Sequence, residues 1–216
     1  MRSKRNKVLI LGTSEYAEVL VDTFECLDTV EFDGFLENRA RSRVGSKLLS
    51  FPVYWSDESD HLSKTHLLTT ALATTQRKAW IEDRVRAGFD FITLVHPSSS
   101  VSKRTTLGTG SIVDAGVVVA GFSKIASHVR IGRQSSIGHH TEIGEFSTIH
   151  PGVLISGRCK IGRQVTVGTG AILIEDLVVG DGAFIAAGSV VTRDVIPGAL
   201  VAGNPGRIVK KNYGPQ

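Results

Sequence analysis

Cysteine is scarce in this chain of 216 residues: Cys26 and Cys159 stand far apart. A disulfide-stapled secreted scaffold is excluded, and a reducing, cytoplasmic setting is the simplest expectation. Aromatic residues make up only 6% and there is a single methionine, so packing must rest on small and branched side chains. Nowhere do 18 apolar residues follow one another, so no membrane span is expected. The basic N-terminus leads into an apolar stretch at 8–11, which is too short for a signal peptide and is broken at 12–15. Charge of one sign is sparse too. The net charge is +4, and Lys/Arg gather only at 1–7 and 207–211. That balance suits an anionic small molecule and argues against a nucleic-acid partner.

What the chain does have is glycine, 23 residues of it, and two kinds of pattern. Over 7–95 strands and helices alternate. KVLIL (7–11), VEFDGFL (30–36), FPVYW (51–55), THLLTTALAT (65–74) and FDFITLVHP (89–97) read as strands. Residues 15–25 have helical spacing with Ala17, Leu20, Val21 and Phe24 on one face, and 76–87 read as a charged helix ended by Gly88. This order predicts a small parallel α/β domain over 1–97. The first strand runs into GTSEYA (12–17), where a dinucleotide fold would place its glycine-rich turn. Gly12 and Ala17 fit that turn, while Ser14 stands where the middle glycine would be. Two readings stay open: a phosphate held at the helix N-terminus, or an ordinary turn with Ser14 as N-cap.

From 98 onward a ruler takes over. An aliphatic residue recurs every six positions: Val101, Leu107, Val113, Val119, Ile125, Ile131, Ile137, Ile143, Ile149, Ile155, Ile161, Val167, Leu173, Val179, Ile185 and Val191. Four residues after the second aliphatic and each later one sits a second residue, nearly always small or branched, such as Ser111, Val117, Ser123, Val129 and Ser135. Six residues fit a short strand plus a turn, repeated, and three such hexads make one triangular coil of a parallel β-helix. The interior would hold the first and fifth positions.

On this ruler His139 is position three of its hexad, outside the core, with Gly121 one coil below and Gly157 one coil above. The adjacent His140 diverges from it. A zinc site from His139, His140 and His150 is not expected, because no Cys or carboxylate completes the ligand set. His96, before Pro97, reads as structural, and His150 as a corner residue.

The repeat resembles the left-handed β-helix acyltransferases of the hexapeptide family. The whole chain resembles the sugar acetyltransferases of the sialic-acid and bacillosamine type, through GFDFITLVHPSSSVS at the junction and GSVVTRDVIPGALVAGNPGRIVKK at the exit. The resemblance implies a Rossmann-like α/β domain (1–97) followed by a left-handed parallel β-helix with a C-terminal tail (98–216). It implies acetyl-CoA as co-substrate, no metal, and a homotrimer with its active sites between subunits. The His of HHTEIG matches the family's catalytic position, so His139 is implied as general base and Gly157 as oxyanion donor. Thr148, Gly157, Thr169 and Ala187 are implied along the acetyl-CoA path, with Arg207, Lys210 and Lys211 near its phosphates. The exterior aliphatics Val118, Ile172 and Ile174 would suit trimer burial.

The acceptor implied is a nucleotide-linked amino sugar, N-acetylated for surface polysaccharide or glycan synthesis. Gly12, Thr13, Ser14 and Glu37 are candidates to hold the nucleotide, and His140 lies at the acceptor side. Three positions depart from the family pattern. His140 stands where an acidic residue orients the base, with Glu142, Glu145 or a neighbouring chain's acid as possible substitutes. Gly132 replaces an asparagine near the acceptor, and GTSEY and TALATT replace the glycine-rich segments of the first domain. Alternatives remain: O-acetylation of a sugar, N-acylation of another small amine, or a non-catalytic β-helix trimer.

Overall fold

In a computed structural model, residues 6–72, 74–75 and 77–214 are described. The chain divides into two compact units, one of residues 1–72 and 77–92, the other of residues 93–216 with 73–76.

The first unit is α/β. Strand β1 (Asn6–Leu11) lies between β2 (Val30–Glu37) and β5 (His66–Thr70), parallel to both. On the far side of β2, β4 (Phe51–Trp55) runs parallel to it, and the short β3 (Lys47–Leu48) closes the edge antiparallel to β4. β1 is an interior strand, and Val8, Leu9, Ile10 and Leu11 are all fully buried, as a strand covered on both faces requires. Helix α1 (Glu15–Glu25) buries the predicted face of Ala17, Leu20, Val21 and Phe24. Phe24, Phe32, Phe35 and Phe51 form one aromatic cluster with centroids 4.5–5.5 Å apart. Each such ring contributes roughly 1.5–3 kcal/mol on burial. Gly34 is needed between β2 and β4: a Cβ there would lie 2.6 Å from the Pro52 carbonyl oxygen, and its φ is +148°. Helix α2 (Arg77–Arg86) ends before Gly88, whose φ of 90° gives the left-handed stop expected of it.

Two strand expectations need correction. The stretch 65–74 is strand only over His66–Thr70; its residue Ala73, like Gln76 at the expected helix start, lies outside the described residues. The stretch 89–97 is not one strand. Phe91 makes an isolated parallel bridge to Leu68, while Leu94–Val95 pairs with Ile112–Val113 of the repeats. One extended run thus serves two sheets, and hydrophobicity alone does not mark where it changes allegiance.

The second unit is a parallel β-helix. Up to Val190–Val191 its strands are two residues long and fall into three sheets, each strand pairing with the one 18 residues on: Val119 with Ile137, Ile137 with Ile155, Ile155 with Leu173. Leu200–Ala202 then pairs with Phe184–Ile185 at an offset of 16. The repeating aliphatics from Val113 to Val191 are buried, and so are the fifth positions from Ser111 to Val195. Four of the buried fifth-position serines are satisfied across coils, while the Ser189 hydroxyl finds no partner among the described residues. Ser147 Oγ donates to the Gly162 carbonyl (2.8 Å) and accepts from the Val165 N–H (3.0 Å). Ser111, Ser123 and Ser135 repeat that pattern. A hydroxyl is therefore as much at home here as valine, because the corner exposes one carbonyl and one N–H to it. Glycine at position two has a different cause: a Cβ on Gly138 would lie 2.4 Å from the Gly157 nitrogen.

Candidate functional site

The turn after Ser136–Ile137 carries His139 and His140. Position four of the turns adopts positive φ, with Phe122 at 62°, His140 at 56°, Arg158 at 60° and Asp176 at 63°. This bend separates the position-three and position-four side chains. It also stacks Phe122, His140, Arg158 and Asp176 at successive coils. The His140 N–H donates to the Gly121 carbonyl (3.1 Å), and the Arg158 N–H donates to the His139 carbonyl (2.8 Å), so the turn is held from both sides.

The His139 ring leans along the solenoid over Gly157. A Cβ on Gly157 would sit 2.9 Å from both Cε1 and Nε2 of that ring. The space on one side of the ring is thus filled by glycine backbone. Nδ1 of His139 lies 3.0 Å from Nδ1 of His140, with the two rings nearly perpendicular at 87°. His140 in turn stacks on Phe122, with centroids 4.9 Å apart and planes 21° apart. The Arg104 guanidinium lies over Phe122, 5.8 Å from its centroid.

Of the carboxylates weighed as partners for the base, Glu142 is paired to Lys124 (2.9 Å), which holds its carboxyl below the usual range. Glu145 is exposed in the following turn. The carboxylate with an electrostatic link to His139 is instead Asp176. Arg158 donates to it through Nε (2.6 Å) and Nη2 (2.8 Å) and holds its carboxyl below the usual range, with a smaller contribution from His139. Sequence reading missed Arg158, Asp176 and Phe122. The signal was present, since 122, 140, 158 and 176 differ by 18.

Gly157 offers its backbone N–H at turn position three; among the described residues no hydrogen bond is made from it. Arg163 occupies the same position of another turn, and its N–H donates to the Asp181 carboxylate at 2.8 Å. This turn geometry therefore presents an N–H that takes an anionic oxygen.

The other repeat residues are spread. Thr148 is buried on a strand, at 1% exposure. Thr169 and Ala187 are exposed in turns following Thr166–Val167 and Phe184–Ile185. Those strands belong to a different sheet from Ser136–Ile137. Within one chain, Thr169 and Ala187 therefore share a corner that is not the His139 corner. Arg207 is exposed on the antiparallel ribbon of Leu200–Ala202 and Arg207–Lys210, and Lys210 lies over the Tyr213 ring. His150 is half-buried at its corner, and its carbonyl accepts from Ser135 Oγ (3.0 Å).

In the first unit, Gly12, Thr13, Ser14 and Glu37 cluster at the C-terminal ends of β1 and β2. Glu37 is 5% exposed. Its Oε1 accepts from the N–H groups of Asn38 (2.9 Å), Arg39 (2.7 Å) and Ala40 (3.2 Å), and its Oε2 accepts from the Thr13 hydroxyl. Burial pushes its carboxyl up, but these donors outweigh burial and hold it below the usual range. The Thr13 hydroxyl also accepts from Arg43 (2.6 Å), which sequence reading did not single out. Gly12 has φ +100°, and Ser14 takes the N-cap position without a side-chain capping bond. Among the described residues no group of three or more His, Cys, Asp or Glu is arranged to hold a metal ion, and no helix is long and apolar enough to cross a membrane.

Comparison with known proteins now adds to the geometry. The bacterial transferase hexapeptide model (six repeats) matches residues 122–157 and 158–193. The acetyltransferase domain of PglB from Neisseria gonorrhoeae FA1090, solved with acetyl coenzyme A, is 28% identical with a TM-score of 0.87, over 95% of this chain and 100% of that one. PerB from Caulobacter crescentus, solved with CoA and GDP-perosamine, shares the fold at 24% identity and TM-score 0.83, over 95% and 98% of the two chains. WeeI from Acinetobacter baumannii AYE does so at 24% and 0.83, over 94% and 99%. A curated relative, the 2,3,4,5-tetrahydropyridine-2,6-dicarboxylate N-acetyltransferase of Staphylococcus aureus (strain JH9), is 49% identical over 41 residues, which span 19% of this chain and 17% of the relative. Residues 122–193 therefore match the bacterial transferase hexapeptide repeat, and the chain over 95% of its length is similar to an acetyltransferase domain solved with acetyl coenzyme A.

Proposed function

We propose that this protein is an acetyl-CoA-dependent N-acetyltransferase of a nucleotide-linked amino sugar, acting as a homotrimer with a left-handed β-helix and a Rossmann-like first domain. The observation that carries the reading is the His139 imidazole over Gly157, with its Nδ1 anchored by His140. The full-length likeness to an acetyltransferase domain solved with acetyl coenzyme A supports the donor. The sugar-nucleotide acceptor rests on the resemblance and on the cluster at the ends of β1 and β2. There Gly12, Thr13 and Ser14 would face a phosphate, and the saturated Glu37 would shape the loop.

The chemistry is direct transfer. The acceptor nitrogen attacks the thioester carbonyl while His139 Nε2 takes its proton. The negative charge that builds on the carbonyl oxygen is met by the Gly157 N–H. The C–S bond then breaks, the proton leaves His139 for the departing sulfur, and the products are the amide and free CoA. Trimerisation supplies what one chain lacks, because it sets the His139 corner of one subunit against the Thr169 and Ala187 corner of another. Arg207 would meet the phosphate end of the co-substrate.

The test is thiol release from acetyl-CoA against a panel of nucleotide-linked amino sugars, nucleotide-linked hydroxyl sugars and simple amines. Turnover of the amino sugars and its loss in His139→Ala are expected. Full activity in His139→Ala would end the general-base role, and turnover of simple amines alone would move the acceptor to the second class.

A further inference from the structure

The structure assigns to His140 the role of positioning residue for His139, a neutral imidazole that accepts the Nδ1 proton of the base. The inference rests on the proposed function for its chemistry, but its geometry stands apart from it. The two Nδ1 atoms are 3.0 Å apart, so when both rings are neutral one nitrogen carries the hydrogen and the other accepts it. A base that works at Nε2 must hold its own hydrogen at Nδ1. His139 then donates and His140 accepts, which leaves the hydrogen of His140 on Nε2.

His140 is fitted to that task. Its backbone is held by the N–H bond to Gly121, and its ring by the face of Phe122, which Arg104 backs. The alternative acceptors are engaged elsewhere: Glu142 by Lys124, and Asp176 and Glu175 by Arg158. The charged groups around the pair are thus Arg104 behind Phe122, Arg158 one coil on, and Asp176 with Glu175 against Arg158. When His139 takes the acceptor's proton, its Nδ1–H bond to His140 becomes charge-assisted and holds the imidazolium in place. Because the partner is uncharged, it orients the base without raising its proton affinity as a carboxylate would.

Three variants separate this role from a structural one. Phenylalanine and aspartate already occupy the same turn position with positive φ, at Phe122, Phe146 and Asp176, and asparagine tolerates it. His140→Phe removes the acceptor, and kcat should fall by roughly 10- to 100-fold with little change in KM. His140→Asn puts a neutral oxygen near the lost nitrogen. It should recover much of that loss and keep the wild-type pH profile. His140→Asp should recover activity but move the acid limb of kcat/KM to higher pH by about one unit or more. Wild-type kcat in His140→Phe, or an unmoved acid limb in an active His140→Asp, would overturn the proposal. Nitrogen-15 NMR of the histidines of the full chain reads the pairing without any substrate. Hydrogen on Nδ1 of His139 and on Nε2 of His140 is expected, and the reverse overturns the proposal. If the NMR result holds while His139→Ala stays active, the failure belongs to the acetyltransfer reading instead.

Discussion

Gly157 and His139 meet across one coil, and the contact separates sterics from chemistry. The ring atoms that a Cβ would strike, at 2.9 Å, are the far end of a side chain that can swing aside. Gly157→Ala should therefore cost the fold less than about 1 kcal/mol, read from its denaturant midpoint. The same change keeps the backbone N–H but displaces the imidazole. A shift of about 1 Å in a reacting group costs on the order of 100-fold, so steady-state kcat should drop by between 10- and 100-fold. A variant as active as the wild type would show that the ring does not work from its position over Gly157. Asp33 offers a second single-residue case. It accepts from Lys7 (3.1 Å) and meets His66 Nε2 (2.8 Å) at the sheet's N-terminal edge. Burial pushes its carboxyl up, but the His66 and Lys7 contacts outweigh burial and depress it below its ordinary value of 3.8. A depressed carboxyl stabilises the fold above its unfolded pKa and loses that contribution as pH falls through the folded value. Asp33→Asn should thus be less stable at neutral pH, by about 1 kcal/mol for a partly exposed pair, and the gap should close as pH falls below the carboxyl's ordinary value of 3.8.

At the scale of the coil, the small-residue rule has two distinct origins. Fifth-position serines sit inside and bridge coils by accepting and donating. Ser147→Ala removes both bonds, but the Val165 N–H can then close on the Gly162 carbonyl as Ala183 does on Gly180 above Val165 (3.2 Å), so urea unfolding should show a loss of only about 1 kcal/mol. Position-two glycines sit where the next coil passes at backbone distance. Gly138→Ala would place a carbon 2.4 Å from the Gly157 nitrogen. That contact is with backbone that cannot swing away, so this variant should lose more stability than Gly157→Ala, at least about 2 kcal/mol. Equal costs for the two glycine changes would refute the distinction between flexible and rigid contacts. Helix α1 was legible to its ends because its four buried apolar residues, Ala17, Leu20, Val21 and Phe24, keep one face, and its sequence carries no competing pattern. The run 89–97 was not, because parallel strands in two sheets make the same local demand for apolar, extended residues.

For the molecule as a whole, one sheet of the β-helix presents an outward row in which Val118, Leu154 and Ile172 are 46%, 45% and 37% exposed. The outward row of another carries Lys124, Glu142 and Lys160. An apolar row of that kind suits burial between subunits. If the proposed trimer forms through this row, Leu154→Glu should give a monomer in analytical ultracentrifugation and remove activity with it. A monomeric wild type would remove the subunit-interface site from the proposal.

The solenoid was legible in the sequence as far as Val191, beyond which the offset drops to 16, as in Val179 with Val195 and Ile185 with Val201. Up to there each coil contacts its neighbours at a constant offset, so a period of six settles the strand, the turn, the interior and the stacked residues without knowledge of distant contacts. His139 above Gly121 and below Gly157 followed from the same arithmetic. What only the tertiary structure decided was how side chains use those positions. The imidazole lies on Gly157 rather than in open space, its partner is His140 held by Phe122, and Glu37 is spent on three backbone N–H groups and Thr13. Those outcomes depend on rotamers and on hydrogen bonds between residues distant in the chain, where several partners compete within a few ångströms. Periodicity ranks positions, but the competition among partners is settled by geometry in three dimensions.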